Sequence, residues 1–180
     1  MRRPILGLAL VLLLASCGVP VDDAPRDLGD PRAGYGSSTP APDGFGTAVE
    51  RLYLIRDGML VRVIRRVPAP RTPDDMLADL LAGPTVDERA DGLGSALSTM
   101  SVTGMTIVQR RATIEVGSPG ARSDEVLAYA QIVATLTSQG AEIGTVSFRA
   151  DGQPLGVPRA DGVLSTAPLT IADYAELIDS

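Results

Sequence analysis

The sequence lacks most of the side chains on which enzymes rely. It contains no His, no Lys and one Cys among 180 residues, so Ser-His, Cys-His and Lys-based nucleophile activation are all unavailable. No Gly-Lys-Ser or Gly-Lys-Thr phrase occurs, which excludes a phosphate-binding P-loop. A single thiol also excludes an internal disulfide. We therefore expect a protein that is not an enzyme, with no catalytic residue, no metal site and no cofactor.

Aromatic residues are also scarce. Two Phe, four Tyr and no Trp leave no evident platform for stacking a sugar ring, and they force the core to be aliphatic. Fully burying an aliphatic side chain contributes ~1.5–3 kcal/mol, most of which chain entropy offsets. The residues that we expect to supply most of the core are Leu54, Val63, Leu80, Ile107, Ile132, Leu136 and Val146.

The N-terminus has the pattern of an export signal. Two Arg residues precede an apolar run over residues 5–15, which as a helix would reach only ~16 Å of a ~30 Å hydrocarbon core. Leu14–Cys17 then resembles a lipobox, in which small residues admit the peptidase and the cysteine thiol accepts diacylglycerol. We predict that residues 1–16 are removed and that lipid on Cys17 holds the protein at the extracytoplasmic face of the cell membrane.

The predicted mature chain is acidic. Residues 1–16 carry two Arg and no acidic residue, so their removal changes the net charge from −6 to −8. A negative protein gains nothing from counterion release at phosphates and is repelled by anionic lipid. We therefore expect no nucleic acid partner, and membrane contact through the lipid on Cys17 alone.

Composition divides the mature chain into a tether and one domain. Residues 18–47 contain five Pro and six Gly and few apolar residues, which is typical of a disordered linker with a reach of ~30 Å. The remaining residues 48–180 suit a single domain. We place the lipidated Cys17 and the tether in residues 17–47.

Local patterns predict the elements of that domain. Asp57-Gly58 between two apolar runs predicts a hairpin, and Thr72-Pro73 predicts the start of a helix. The expected buried stripe of this helix is Met76, Leu77, Leu80 and Leu81. A polar loop over 85–101 and a second hairpin turning at Arg110-Arg111 should follow.

The second half begins with the clearest helix. Ser123-Asp124-Glu125 should open it, and Tyr129, Ile132, Val133 and Leu136 should form its buried face. A third hairpin over 142–157 turns at Asp151-Gly152, and Thr170 caps a short last helix. The resulting order, β-β-α-β-β-α-β-β-α, predicts an α+β fold: a two-layer sandwich of an antiparallel-rich sheet with two main helices on one face.

Several phrases in this order resemble the GerMN domain, which is named for sporulation and spore-germination proteins. They span about residues 48–175 and are Tyr53-Leu54, Leu60–Arg65, Leu80–Pro84 with Glu88, Gly92-Leu93, Ser95–Leu97, Ala112–Val116, Gln131–Leu136 and Val146–Gly152. The resemblance implies a non-enzymatic envelope domain, often carried by lipoproteins, with a role in assembly or interaction. It identifies no ligand.

Acidic pairs and arginines are the remaining candidates for chemistry. The pairs Asp74-Asp75 and Asp124-Glu125 stand at helix starts and Asp87-Glu88 stands in a loop, so surface and capping roles are favoured over metal binding or catalysis. Six of the 16 Arg residues lie between positions 51 and 71. They are either solvated strand ends paired with acids or a basic patch that binds an acidic partner.

We select Arg56, Arg62 and Arg65 as candidate partner-binding residues. The function that we expect is a lipid-anchored, non-catalytic interaction or assembly module whose partner is an envelope protein or an anionic wall polymer. The alternative is an accessory lipoprotein that binds a small molecule or a cell-wall glycan, which would require a pocket.

Overall fold

The computed structural model describes residues 48–117, 125–140 and 142–179. The predicted lipidation site Cys17, the tether and Ser123-Asp124 lie outside these residues. The strands are β1 (Ala48–Arg56), β2 (Met59–Val67), β3 (Val102–Val108), β4 (Arg111–Val116), β5 (Thr145–Ala150), β6 (Gln153–Pro154), β7 (Val157–Pro158) and β8 (Leu164–Ser165). The α-helices are α1 (Pro73–Ala82), α2 (Val86–Ala90) and α3 (Glu125–Thr137), and 3₁₀ turns form at Leu97–Thr99 and Ile171–Leu177.

The first hairpin has the predicted form. Strands β1 and β2 pair antiparallel over nine positions, from Arg56 opposite Met59 to Ala48 opposite Val67. Asp57 and Gly58 have φ of 53° and 77°, the left-handed values that a tight hairpin turn requires at both central residues. The local sequence therefore determines both the turn and the register.

Helix α1 also begins and ends as its sequence indicates. Thr72 Oγ1 accepts a hydrogen bond from Asp75 N, the Asp75 carboxylate accepts one from Thr72 N, and Pro73 occupies the first turn. Gly83 follows with φ of 79°. The predicted stripe is wrong at Leu81, which is 37% exposed. Leu81 lies about 140° around the helix axis from Met76, outside the buried stripe.

The segment predicted as a polar loop contains a short helix, α2. Thr85 and Glu88 form a second capping box, in which Thr85 Oγ1 accepts from Glu88 N and the Glu88 carboxylate accepts from Thr85 N. None of the five residues of α2 is buried. A helix without a buried face leaves no hydrophobic period in the sequence, so only its cap could have revealed it.

The largest sheet has the order β3-β4-β5-β6. The turn of its first hairpin lies at Gln109-Arg110, with φ of 49° and 64°, one residue before the predicted position. Strands β4 and β5 are parallel, because α3 crosses over between them. Ile107, predicted to be core, is 38% exposed on β3, which is an edge strand of this sheet.

Helix α3 is the centre of the core. The four predicted residues Tyr129, Ile132, Val133 and Leu136 are all buried, and the Tyr129 ring packs edge-on against Phe148 of β5 at 4.9 Å. The other predicted core residues Leu54, Leu80 and Val146 are buried as well, whereas Val63 is half-buried. The aliphatic character of the core is as expected from the composition.

The C-terminal part differs in detail from the prediction. Strand β6 ends at Pro154, which cannot donate to a ladder, and Val157 pairs in the separate hairpin β7-β8. The predicted last helix is a 3₁₀ segment, capped by Thr170 and Asp173 and kinked at Tyr174. The α+β class with antiparallel-rich sheets is confirmed, although the described strands divide among three sheets. No helix in the described ranges is long and apolar enough to cross a membrane.

Candidate functional site

The first hairpin has one face turned to the interior and a second face that is exposed mainly along β2 from Arg62 onward, although Tyr53 and Leu60 on this second face are buried. Side chains alternate along a strand, so Glu50, Leu52 and Leu54 of β1 share a face, and all three are buried. Arg65 lies directly opposite Glu50 on this inner face. The outer face carries Arg62 opposite Tyr53, together with Ile64 and Arg66. We call the exposed side chains Val49, Arg62, Ile64 and Arg66 the outer patch.

The structure does not bring the three predicted partner-binding residues together. Arg56 and Arg62 are exposed, but they stand on opposite faces of the hairpin, with Arg56 beside the turn. Arg65 is half-buried on the inner face, as the alternation of strand residues requires. Arg66, which was not selected, accompanies Arg62 on the outer patch. Partner binding by any of these residues stays a prediction.

Arg65 is held by a two-pronged ion pair with Glu88 of α2. Arg65 Nε donates to Glu88 Oε1 at 2.8 Å, and Arg65 Nη2 donates to Glu88 Oε2 at 2.6 Å and to the Gly83 carbonyl at 2.9 Å. The Arg65 and Glu88 side chains are 16% and 14% exposed. The bonds from Arg65 lower the pKa of Glu88 and raise the pKa of Arg65. The pair ties β2 to the α1-α2 connection.

Glu50 is the unusual group beneath this pair. Glu50 is 1% exposed, and neither carboxylate oxygen accepts a hydrogen bond from a donor among the described residues. Burial, followed by the nearby charge of Asp79, raises the pKa of Glu50 to about 7, although Arg65 and Arg71 act in the opposite direction. Asp79 in turn lies 3.0 Å from Arg71 Nη2. The alternating pattern of strand β1 could not identify Glu50 as a buried charge, because its position in the sequence resembles that of an ordinary strand residue.

Buried polar side chains of α3 form hydrogen bonds with the backbone edge of β1 that faces away from β2. Tyr53 N donates to Thr135 Oγ1 at 3.0 Å, and Gln131 Nε2 donates to the Tyr53 carbonyl at 3.0 Å. Gln131 Oε1 also accepts from Ala96 N at 2.7 Å. Both Gln131 and Thr135 are 0% exposed. One amide side chain thus joins the strand, the helix and the loop before β3.

Further bonds complete this closure. Ile55 exchanges two backbone hydrogen bonds with Gly94, at 2.9 and 2.7 Å, and Gln139 Nε2 donates to the Arg51 carbonyl. All of these donors and acceptors bond to backbone N–H and C=O groups of β1 that point away from β2. We call this set of contacts, together with those of Gln131 and Thr135, the β1 clamp. The signal that could have found the clamp is the pair of polar residues inside the apolar phrase Gln131–Leu136.

The other edge of the hairpin, along β2, has fewer backbone hydrogen bonds among the described residues. The Leu60 carbonyl accepts a hydrogen bond from Asp179 N at 2.9 Å, so the backbone groups of Leu60 point away from β1. Because direction alternates along a strand, the N–H and C=O groups of Arg62, Ile64 and Arg66 point the same way. Within residues 48–117, 125–140 and 142–179, no backbone group bonds to the outward N–H and C=O groups of these three residues.

The acidic pairs have structural roles where the structure describes them. Asp75 and Glu88 complete capping boxes, and the hydrogen bonds from Thr72 lower the pKa of Asp75. Asp87-Glu88 therefore opens a helix rather than lying in a loop. Among the described residues, no three His, Cys, Asp or Glu side chains are grouped closely enough to hold a metal ion.

Together these features define a mixed α+β domain in which buried polar contacts join the first hairpin to the helices. A family model described as Germane, sporulation and spore germination, matches residues 51–156, which is more than half of the chain. The chain belongs to this family, and the predicted resemblance to the GerMN domain is confirmed.

Solved structures of the same domain have the same fold. The tandem GerMN domains of the sporulation protein GerM from Bacillus subtilis match with a TM-score of 0.55 and 18% identity, over 79% of this chain and 51% of theirs. The first GerMN domain of that protein matches with a TM-score of 0.52 and 21% identity, over 69% of this chain and 98% of its own. The chain thus spans about half of the tandem structure. No curated protein matches this chain.

Proposed function

We propose that this protein is a lipid-anchored, non-catalytic interaction module of the bacterial envelope, held by lipid on Cys17 at the extracytoplasmic face of the membrane. The family and the solved GerM domains support a domain related to sporulation or germination proteins. The observation that favours interaction is the outer patch, where Arg62 and Arg66 flank Ile64, which is 59% exposed. Apolar surface framed by Arg is a composition typical of protein contacts.

The shifted pKa of the Glu50 carboxyl group does not favour a catalytic function over an interaction function. A strongly shifted pKa in a cleft often marks a reacting group, but Glu50 is 1% exposed, so a substrate could not reach it in this conformation. With no His and no Lys in the sequence, no ordinary nucleophile pair can accompany it. We expect Glu50 to affect the unfolding free energy of the domain rather than a reaction.

Photo-cross-linking in native membranes tests the module. A photoreactive residue is placed in the full chain, one position at a time, at Ile64, Val86, Val108 or Val163, which are exposed at 59%, 72%, 62% and 54%. We expect a discrete cross-linked product that is strongest from position 64. Absence of a product from every position, with the chain folded in the membrane, would contradict the proposal.

A further inference from the structure

The two edges of the first hairpin differ in a way that indicates a use for one of them. The β1 clamp occupies both outward backbone groups of Tyr53 and of Ile55 and the outward carbonyl of Arg51. Along β2, only the Leu60 end is occupied, and the outward N–H and C=O groups from Arg62 to Arg66 are unpaired among the described residues. An open strand edge is a template for another strand.

We propose that an extended acidic segment of another envelope protein adds as a strand to the β2 edge, with acidic side chains beside Arg62 and Arg66 and an apolar side chain beside Ile64. This inference rests on the proposed function and names its contact. Main-chain bonds to the edge would supply affinity, and the side chains at alternate positions would supply specificity. The expected recognition pattern is acidic, any residue, aliphatic, any residue, acidic.

The charge of the occupant follows from the exposed side chains. Arg62 and Arg66 are two positions to either side of Ile64 and therefore lie on the same face, spaced for alternate residues of an added strand. Arg65, which points to the opposite face, already holds Glu88 with its planar fork. The two exposed Arg side chains can hold carboxylates bidentately in the same manner.

A second copy of this chain fits the edge poorly. In an antiparallel pairing centred on Ile64, Arg62 of each copy would stand opposite Arg66 of the other. Like charges directly opposite each other destabilise a strand pair. Shifting the pairing by two residues in either direction brings in Leu60, whose carbonyl is occupied, or Pro68, which has no N–H group. Two copies therefore have no favourable antiparallel register.

The test uses the full chain in detergent and two synthetic nine-residue peptides. The acidic peptide has glutamate, threonine, valine, threonine and glutamate at its centre, and the basic peptide has lysine in place of both glutamates. Amide NMR follows the outward N–H groups of Arg62, Ile64 and Arg66, with the inward N–H groups of Val61 and Val63 as internal references.

We expect the acidic peptide to shift the three outward amides and slow their hydrogen exchange, and the basic peptide to do neither. Reversing both charges, with Arg62→Glu and Arg66→Glu, should weaken the acidic peptide roughly tenfold and allow the basic peptide to bind. The matched control reverses the exposed Arg110 and Arg111 at the turn between β3 and β4, which changes the net charge equally away from the edge and should leave acidic-peptide binding unchanged.

Three results would overturn the inference. The outward amides could remain unshifted with the acidic peptide, both peptides could bind equally well, or the outward amides could exchange slowly before any peptide is added. The last result would mean that this chain already covers its own edge. Failure of the proposed function is distinct, because it appears as absence of cross-linked product from all four positions, whereas failure of this inference leaves such products unaffected by the reversal of Arg62 and Arg66.

Discussion

Replacing Glu50 with Gln should make the protein more stable at neutral pH and should remove part of its pH dependence. Glu50 is buried, its ionised oxygens accept no hydrogen bond from the described residues, and its pKa is raised from 4.5 to about 7. A raised pKa means that the folded state binds the proton more tightly than the unfolded state does. The favourable contribution is therefore complete below pH 4.5 and is lost as the pH rises to about 7.

The magnitude follows from the two pKa values. Between pH 5 and pH 8 the wild-type protein should lose roughly 2.5 kcal/mol of unfolding free energy through Glu50 alone. The Gln variant has nearly the same shape and no charge, so it avoids this loss. We expect the stability difference between variant and wild type to change by about that amount over this range, with the variant favoured at pH 8.

Urea unfolding at pH 5, 6, 7 and 8 measures this difference, and comparing each variant with wild type at the same pH cancels the titration of other groups. Glu176→Gln at an exposed position is the matched control and should give a constant difference. Asp79→Asn should reduce the pH dependence, because the charge of Asp79 helps to raise the pKa of Glu50. A constant difference for Glu50→Gln from pH 5 to pH 8 would refute the reasoning.

The remaining predictions concern the anchor, the clamp and the tether. Cys17→Ala should release the protein from the membrane fraction, because the acyl chains would be lost, and unchanged fractionation would refute the anchor. Gln131→Leu should lower the unfolding free energy by roughly 2–4 kcal/mol in urea, because it strands buried backbone groups, whereas Gln153→Leu at an exposed site should change it by less than about 0.5 kcal/mol. Hydrogen exchange should be fast throughout residues 18–47, and slow amides there would move the predicted domain boundary at Ala48.

Elements with a strong local signal could be predicted from the sequence. The hairpin turn at Asp57-Gly58 needs only two residues that tolerate a positive φ, and the cap at Thr72 needs only neighbours within one turn. Helix α2 was missed because it buries no residue, so its capping box stands without a hydrophobic period. Exposure of Leu81 and Ile107 depends on which surfaces the neighbouring elements cover, and a strand or helix pattern does not contain that information.

The candidate site could be predicted only in part for the same reason. The alternation of side chains along β2 is enough by itself to place Arg62 and Arg65 on opposite faces. The partner of Arg65 is 23 residues away on a helix that the pattern did not reveal, so the ion pair with Glu88 could not be foreseen. Gln131 and Thr135 offered a better opportunity, since polar residues in an otherwise apolar helix must find partners once buried.

The geometry of the hairpin also explains why stability and binding should respond to different substitutions. Arg65 of the inner face and Gln131 of the β1 clamp have their polar groups bonded inside the domain, and Glu50 of the inner face is buried there. Changes to them alter the unfolding free energy directly. Arg62 and Arg66 make no ion pair among the described residues, so reversing their charges should alter binding and leave the urea midpoint nearly unchanged. If reversal lowered the urea midpoint as much as Gln131→Leu does, the β2 edge would be part of the fold rather than a surface open to a partner.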